Sequence, residues 1–499
     1  MSTPSILDGA HLTETLEVSA QVAIVGTGPA GLAAARILTR AGLDVVLLEE
    51  GPLRRPADFY PDSFRAMADL YRDLGGLLTR GRAPMPLVVG RAVGGASVIN
   101  GAISWRLPAD VYAEWLTQDP GLAEALPEAE LLATQDELET DLHVAPTDPA
   151  IAGPKNLLLQ RGADALGLEN RPIRRNVKGC VGSGRCLQGC PHGAKQSMDV
   201  AWLPECLERG ARLLHSVTVQ AIHAPAGRTT GLTARAQGGG RIEVRAPVVV
   251  LACGALHTPA LLLASGLTQG PVGDHFMCHP GVAVAGVFAE PIRLWRGATQ
   301  GHEVIGLRRE GLKFECLGYD LTLAATRVAG LGAAFAAGLE ELPRQAHWGA
   351  AIRAQAEGRV TQRGGRPRIR YTLTAADLTR VRRGVSVLTQ LFAAAGAEAI
   401  LPGVFGLPPR IHTPLTDLVE KGPMDPRAYT LAATHLFGTC RLADRRPGVV
   451  RPDFRHRAVA GLYVVDASVF PSNTGVNPQT SILAIATLAA RRIAAAHAA

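Results

Sequence analysis

The chain has 499 residues, more than one hydrophobic core usually supports, so we expect two domains or one large domain with a cap. With 47% hydrophobic residues, 55 glycines, 34 prolines and only 5% aromatic residues, its composition is typical of a globular α/β protein and argues against disorder. The formal net charge is +7, but the basic residues are spread along the chain without interleaved aromatic residues, so nucleic acid is not indicated as a partner.

The first 21 residues contain no basic segment followed by an apolar stretch, no twin arginine and no small-residue cleavage site. No apolar run approaches the roughly 20 residues that a membrane helix needs. We therefore expect a cytoplasmic protein without a membrane span.

Residues 21–51 are predicted to form a strand, a tight turn, a helix that Gly42 can end, and a second strand. The apolar run QVAIVG leads into GTGPAG and an alanine-rich segment, and DVVLLEEG follows. Glycines in this turn let the backbone bend tightly, approach a pyrophosphate and pack the helix on the sheet. The residues expected at the cofactor are Gly26, Gly28, Pro29, Ala30 and Gly31. The pattern indicates a dinucleotide site without separating FAD from NAD; the alternative is an ordinary helix-packing turn.

An acidic residue ends the second predicted strand. Glu49 is placed to accept hydrogen bonds from a ribose hydroxyl of the adenosine, as the acid after the second strand does in such sites. Its neighbour Glu50 is the less favoured ligand. The acid, in order after a strand, a glycine turn and a helix, strengthens the prediction of a dinucleotide site.

The segment GRAVGGASVINGAISW, residues 90–105, resembles the first signature of the glucose-methanol-choline (GMC) oxidoreductases, which are FAD enzymes. Ala96 stands where that family usually has Gly, Ser or Thr. The resemblance implies flavin contacts at Gly94, Gly95, Ser97, Asn100 and Gly101.

Two further segments resemble the same family. GALHTPALLLASGL, residues 254–267, matches its second signature, and VGDHFMCHP resembles the segment that follows, which makes His279 a structural residue in this interpretation. The C-terminal THLFGTCRL and GLYVVDASVFPSNTGVNPQTSILAIATLAARRIA complete the resemblance, which covers almost the whole chain. It implies further cofactor contacts at Val219 (adenine), Asp466 and Ala467 (ribityl-pyrophosphate region) and Pro478.

The resemblance implies an α/β fold in which a Rossmann-like FAD-binding domain carries a substrate-binding cap with an antiparallel sheet and helices. The predicted parts are residues 19–280 for the first part of the FAD-binding domain, including a Cys-rich segment at 176–198, residues 281–429 for the cap, and residues 430–499 for the rest of the FAD-binding domain. Alternating stretches within 304–328 favour strands in the cap. The spacing of apolar residues in 374–401 predicts an amphipathic helix.

An enzyme that moves a hydride from an alcohol carbon to flavin N5 must also remove the hydroxyl proton. His435 stands at the family's H-x-x-G-T position and is the candidate general base. Asn477, in GVNPQT, stands where the family has a second histidine or an asparagine, and we expect its amide to hold the substrate oxygen. The His/Asn combination resembles the cholesterol oxidase type. Otherwise Asn477 is a turn residue before Pro478.

Three of the eight cysteines, Cys180, Cys186 and Cys190, form C-x5-C-x3-C-P on a glycine-rich loop. Zinc sites usually have short paired spacings and four ligands, and a disulfide would leave one thiol over and is disfavoured in the cytosol. Thiolates on such loops hold iron–sulfur clusters. The spacing resembles that of bacterial FAD-dependent glucose and fructose dehydrogenases, GMC proteins in which it holds a three-iron, four-sulfur cluster. The alternative is a structural loop with free thiols.

The leading hypothesis is an FAD-dependent dehydrogenase that oxidises a primary or secondary alcohol to an aldehyde or ketone and passes the electrons to a non-oxygen acceptor, for which a partner protein is one candidate. No cluster of residues indicates a sugar, a carboxylate or a quaternary amine, so an uncharged alcohol is favoured. The alternatives are an oxidase that releases hydrogen peroxide, a lyase of the same fold whose FAD is not reduced, and a flavin-binding scaffold, which the presence of both His435 and Asn477 disfavours.

Overall fold

The computed structural model of the protein describes residues 5–497. Its first sheet has six parallel strands contributed by distant parts of the chain. In spatial order they are Ile6–Asp8, Arg212–His215, Val45–Leu48, Val22–Val25, Val248–Leu251 and Leu462–Val464. The three strands before the last are buried along their whole length, as in parallel sheets with both faces covered.

The second large sheet has eleven strands and is mostly antiparallel. Its main path runs through Leu77–Leu78, Pro86–Leu87, Leu431–Phe437, Asp274–Val287, Gln345–Ile352, Leu312–Leu317, His302–Val304 and Asn170–Pro172, with Gly358–Arg363, Arg366–Arg370 and Ala399–Leu401 attached at its side. The 20-residue helix Ala375–Ala394 packs on this sheet. Thr374 and Asp377 form a reciprocal capping box at its start, which fixes where it begins.

The remaining strands form two smaller sheets. One contains Val217–His223, Gly231–Ala236, Arg241–Arg245 and Leu16–Ser19, and the other pairs Val144–Pro146 with Arg174–Asn176.

Helices surround both large sheets. The α-helices are Pro29–Arg40, Ser63–Leu70, Ala109–Gln118, Leu122–Ala125, Glu128–Asp141, Pro149–Ala152, Pro154–Ala165, Met198–Ala201, Leu203–Glu208, Gly254–Ala264, Leu321–Ala325, Ala333–Glu341, Ala375–Ala394, Leu418–Lys421 and Gln479–His497. Short 3-10 turns span Gly9–His11, Pro56–Asp58, Arg72–Gly75, Gly95–Val98, Pro225–Gly227, Arg308–Glu310, Leu342–Arg344, Pro426–Ala428 and Ala467–Val469. Within residues 5–497, no helix is both long enough and apolar enough to cross a membrane.

The predicted fold class is confirmed: a parallel, nucleotide-binding type of sheet stands beside a mainly antiparallel sheet with helices. Each sheet has its own large apolar core. The first α-helix, Pro29–Arg40, packs on the last, Gln479–His497, so early and late parts of the described chain meet in the first core.

The boundaries at 280/281 and 429/430 stay a prediction. The single strand Asp274–Val287 spans residue 280, and it pairs with Leu431–Phe437, which lies beyond the second boundary. The whole of this strand belongs to the second sheet, so the chain has already entered that sheet by Asp274. The strand Asn170–Pro172 also joins the second sheet, although the prediction assigned it to the FAD-binding part.

Candidate active site

The first glycine turn has the geometry that its sequence requires. Gly26 has a φ of +96°, and the following helix begins at Gly28 with no side-chain cap and with Pro29 in its first turn. A Cβ on Gly31 would lie 1.9 Å from the carbonyl oxygen of Gly26, so only glycine fits at this position. Ala30 is buried beside it. The uncapped helix N-terminus leaves backbone N–H groups available to an anion.

Glu49 follows the strand Val45–Leu48 and is buried against the same turn. Its carboxylate accepts hydrogen bonds from the backbone N–H of Thr27 (2.9 Å), from the hydroxyl of Thr27 (2.8 Å) and from the backbone N–H of Gly51 (2.9 Å). Burial raises the pKa of Glu49, against the effect of these donors. Glu50 instead pairs with Arg72, at 2.6 Å. The ribose contact of Glu49 stays a prediction.

The glycine pair of the next segment touches the first turn. A Cβ on Gly95 would lie 2.6 Å from the Cα of Gly28, and the N–H of Gly94 donates to the hydroxyl of Thr27 at 3.2 Å. Both glycines have positive φ, +96° and +58°. Ser97 is buried and donates to the carbonyl oxygen of Gly94 at 2.6 Å. Two glycine loops therefore lie back to back, and larger residues would fill the space where they meet.

The same segment continues toward the C-terminal helix. The amide of Asn100 donates to Gln479, the residue directly after Pro478, and its Oδ1 accepts from the N–H of Ala102 at 3.0 Å. Gly101 faces Gln300, whose Oε1 would lie 2.1 Å from an added Cβ. These contacts join three distant segments of the chain.

The other predicted cofactor residues occupy separate positions. The buried carboxylate of Asp466 accepts from the backbone N–H groups of Gly254 (2.9 Å) and Ser468 (2.8 Å), so it organises two backbone turns, and Ala467 begins the second of them. Burial raises the pKa of Asp466. Val219 is half-buried on the strand Val217–His223. Their contacts with the cofactor stay predictions.

His435, on the strand Leu431–Phe437, lies beside a second histidine. Its Nδ1 is 3.1 Å from Nδ1 of His279, whose Nε2 accepts from the backbone N–H of Gly475 at 2.9 Å. A neutral imidazole has one donor and one acceptor nitrogen. The proton of neutral His279 therefore lies on Nδ1 and is donated to Nδ1 of His435.

Burial, and to a smaller extent the charge of Lys313, lowers the pKa of His435 to about 3. Burial and the neighbouring His435 also hold the pKa of His279 well below its usual value. Both rings are therefore neutral near pH 7, and His435 carries its lone pair on Nδ1. A neutral imidazole is the form that can take up a proton.

Asn477 is buried near this pair and is held by a lysine. Its Oδ1 accepts from Nζ of Lys313 at 2.9 Å, and the same ammonium group lies 2.7 Å from Glu303. Gly475, which contacts His279, is two residues before Asn477 in the chain. His279 thus links His435 to the chain segment that carries Asn477, and Lys313 holds the Asn477 side chain.

Sequence reasoning did not anticipate the contacts of His279 and Lys313. It treated His279 as structural, which stays a prediction, and the structure places this residue in contact with His435. It did not single out Lys313, although a signal was present: KFE places charges at alternate positions, 313 and 315, of an otherwise apolar strand. A charged residue is rarely buried unless it is paired, so such alternation in a buried strand indicates an internal ion pair.

The three cysteines of the Cys-rich segment line one cavity. Cys180, Cys186 and Cys190 surround it together with Arg175 and Lys195. No cysteine of the described chain forms a disulfide. In the described residues, no three His, Cys, Asp or Glu side chains form a group ready to hold a metal ion.

Two buried cations mark this cavity. Nη2 of Arg175 is 3.6 Å from Sγ of Cys180 and 3.9 Å from Sγ of Cys186, while its buried Nε and Nη1 have no partner. The ammonium group of Lys195 bonds to the carbonyl oxygens of Cys186 and Asn100. Because Asn100 belongs to the glycine-pair segment, Lys195 connects the cavity to the predicted flavin site.

Comparisons with known proteins agree with this geometry. Residues 67–281 and 354–486 match the two GMC oxidoreductase family models, and residues 19–60 match an FAD binding domain. An uncharacterised GMC-type oxidoreductase of Mycobacterium tuberculosis is 36% identical over 94% of this chain and 74% of its own length. A long-chain-alcohol oxidase of Arabidopsis thaliana is 26% identical over 96% of this chain and 67% of its own.

The crystal structure of pyridoxine 4-oxidase from Mesorbium loti shares the fold, with a TM-score of 0.71 at 19% identity over 95% of this chain and 98% of that one. The glycine loops that meet at Gly28 and Gly95 and the uncapped helix N-terminus fit FAD. The chain belongs to the GMC oxidoreductases and is an FAD-dependent enzyme of that family.

Proposed function

We propose that the protein oxidises an uncharged alcohol to an aldehyde or ketone, with His435 as the general base and Asn477 as the residue that holds the substrate oxygen. The observation that carries this proposal is the chain of contacts from His435 to His279 and on to the backbone of Gly475, two residues before Asn477, whose Oδ1 is already bonded to Lys313. The imidazole of His435 is neutral. The chemistry that FAD supplies when bound is acceptance of the hydride at N5. The chain itself must then orient the alcohol and take up its proton.

The hydrogen-bond pattern determines where the proton goes. The lone pair of neutral His435 is on Nδ1, where His279 now donates. We infer that the substrate hydroxyl replaces His279 as the donor to Nδ1, and that the same oxygen accepts from Nδ2 of Asn477. A hydroxyl can donate and accept at once, so both contacts can form together.

Two features support an uncharged substrate. The charged groups near the pair are Lys313, Glu303, Glu315 and Arg353, and they already have partners: Lys313 bonds to both carboxylates, and Arg353 pairs with Glu114. A charged substrate would have to compete with these pairs. The alcohol oxidase relative, by its name, acts on long-chain alcohols, which are uncharged.

The experiment is a panel of primary and secondary alcohols of increasing chain length, mixed anaerobically with the oxidised holoenzyme while flavin absorbance is followed. We expect bleaching with at least one alcohol, and a large loss of its rate in His435→Ala at unchanged flavin content. If no alcohol bleaches the flavin, the function proposed here is wrong, and a non-redox role such as that of a lyase gains support.

We further propose that the electrons leave to an acceptor other than oxygen through an iron–sulfur cluster held by Cys180, Cys186 and Cys190. All three line one cavity, and such clusters bring their own sulfides, so their cysteines need not converge as ligands of a single ion do. The two unpartnered guanidinium nitrogens of Arg175 at this cavity suit an anionic occupant. A cluster there would exchange single electrons with an acceptor protein.

Iron and acid-labile sulfide, measured on anaerobically purified protein, test the cluster. We expect both in the native protein and in Cys206→Ser, whose cysteine is buried elsewhere, and neither in Cys186→Ser. Flavin without iron in the native protein would favour free thiols. Peroxide release compared with dye reduction then distinguishes an oxidase from a dehydrogenase.

A further inference from the structure

We propose that Lys313 is a positioning residue for Asn477: it fixes the side-chain amide so that Oδ1 points inward and Nδ2 is presented to the substrate oxygen. This inference rests on the function proposed above. It assigns a task to a buried charge that neither the sequence motifs nor the relatives identify.

The ammonium group of Lys313 is fully enclosed and uses all its donors. Its side chain is 1% exposed, and Nζ contacts Glu303 (2.7 Å), Glu315 and Oδ1 of Asn477 (2.9 Å). An ammonium group has three protons, so one is available for each acceptor. Although burial acts to lower it, the two carboxylates raise the pKa of Lys313, and the group stays charged.

The carboxylates are themselves held from the other side. Glu303 accepts from Nε of Arg171 and from the indole N–H of Trp105, each at 2.8 Å, and Glu315 accepts from Gln300 at 2.8 Å. Glu303 and Glu315 are cross-strand partners of the strands His302–Val304 and Leu312–Leu317. The position of Nζ is therefore set by the sheet, not by Asn477.

A charge fixed in this way determines how Asn477 acts. The two ends of an amide differ only in being acceptor or donor, and an amide in a neutral pocket can adopt either orientation. With a cation at Oδ1, rotation would bring the amide N–H2 against the ammonium group, which is unfavourable. Asn477 is thereby restricted to donating, which a hydroxyl or carbonyl oxygen can accept.

The most direct variant is Lys313→Met, but it leaves two buried carboxylates without their cation. Lys313→Met combined with Glu303→Gln removes one positive and one negative charge and so keeps the net charge of the cluster. Arg171→Met is a control, because Arg171 is the more exposed partner of the same Glu303, which keeps its bonds to Lys313 and Trp105 in this variant, and Asn477 is not touched. Lys313→Arg keeps a charged donor and should restore part of the activity.

The measurement is the anaerobic rate of flavin reduction at saturating concentration of the fastest alcohol of the panel. We expect the Met/Gln double variant to be slower on the order of tenfold or more, with normal flavin content, and Arg171→Met to stay near the native rate. The triple variant, in which Asn477→Ala is added to the double variant, should reduce flavin no more slowly than Asn477→Ala alone, because both changes remove the same interaction.

A second readout does not depend on turnover. A methyl ketone of matching length can only accept a hydrogen bond, and its binding is followed by the shift in flavin absorbance. We expect weaker binding in the double variant and unchanged binding in Arg171→Met.

Two results would overturn the inference. One is that the rate losses of the double variant and of Asn477→Ala multiply when the changes are combined. The other is that Arg171→Met loses as much rate as the double variant. If His435→Ala and Asn477→Ala are themselves fast, the proposed function fails. If they are slow while the double variant keeps the native rate and ketone affinity, only the role of Lys313 fails.

Discussion

At the scale of single residues, the candidate site is defined by which nitrogen carries which proton. The backbone N–H of Gly475 fixes the tautomer of His279, and His279 in turn fixes that of His435. Lys313 fixes the orientation of Asn477 in the same manner. The donor of Asn477 is thus oriented before substrate arrives, which is the usual meaning of preorganisation in catalysis, whereas in the function proposed here the lone pair of His435 becomes available when the substrate hydroxyl replaces His279.

This arrangement predicts the pH dependence of flavin reduction. Since the pKa of His435 is lowered to about 3, the base stays unprotonated through the range in which a free histidine titrates, near 6.5. The groups that face it do not titrate there either, because the pKa of His279 lies well below 6.5 and that of Lys313 is raised above 10.5. We expect the saturated rate of reduction, measured by stopped flow, to be constant from about pH 5 to pH 8. An inflection near pH 6.5 that is absent in His435→Ala would contradict this.

At the scale of elements, what could be predicted is what is local in sequence. The strand, the glycine turn and the helix of residues 22–40 are consecutive in the chain, and each could be predicted from its own residues. The capped helix Ala375–Ala394 likewise lies within the segment predicted for it. The contacts of His279 with His435 and of Lys313 with Asn477 could not be derived, because each joins residues more than a hundred positions apart in the chain and no local pattern specifies such a pairing.

The glycine turn also makes a prediction at this scale. Gly31→Ala places a Cβ 1.9 Å from the carbonyl oxygen of Gly26, so the helix must shift and we expect a loss of about 1–3 kcal/mol in stability. Gly28→Ala has nothing nearer than 3.8 Å, the Cα of Gly95, and should fold normally. Because Gly28 is the predicted approach point of the pyrophosphate, its variant should instead lose FAD affinity by tenfold or more.

Thermal unfolding and FAD titration separate the two effects. We expect a lower melting temperature for Gly31→Ala. Flavin-free Gly28→Ala should melt at the same temperature as the flavin-free native protein but should bind FAD more weakly. Unchanged FAD affinity in Gly28→Ala would mean that the pyrophosphate does not approach this residue.

At the scale of the whole molecule, several neutral histidines are buried or half-buried. His257 lies on the helix Gly254–Ala264. His279 and His435 lie on paired strands of the second sheet, and His347 lies on the strand Gln345–Ile352, which also pairs with the strand of His279. Burial lowers the pKa of His257, His347 and His435 to about 3 and that of His279 well below 6.5. Such groups link the stability of the fold to pH.

We therefore expect the free energy of unfolding to fall as pH decreases from about 6.5 toward 4. In that range the unfolded chain binds protons at these histidines and the folded chain does not, so each contributes up to about 1.4 kcal/mol per pH unit. The raised pKa values of Glu49, Asp199 and Asp466 act in the opposite direction, but they concern three carboxyls, whereas burial also lowers the pKa of four further histidines. These are His215, His302, His456 and His497. Urea unfolding at half-unit steps between pH 5 and pH 7 measures the slope.

His347 offers the control for this prediction, because it lies outside the candidate site. It hydrogen-bonds the hydroxyl of Tyr319 through Nδ1 and Gln345 through Nε2, the latter at 3.0 Å, which suits the neutral ring. In His347→Gln one titrating group is removed, so the dependence of stability on pH should become shallower even if the variant is less stable at pH 7. A slope equal to that of the native protein, or stability that rises on acidification, would show that the buried histidines do not govern acid unfolding.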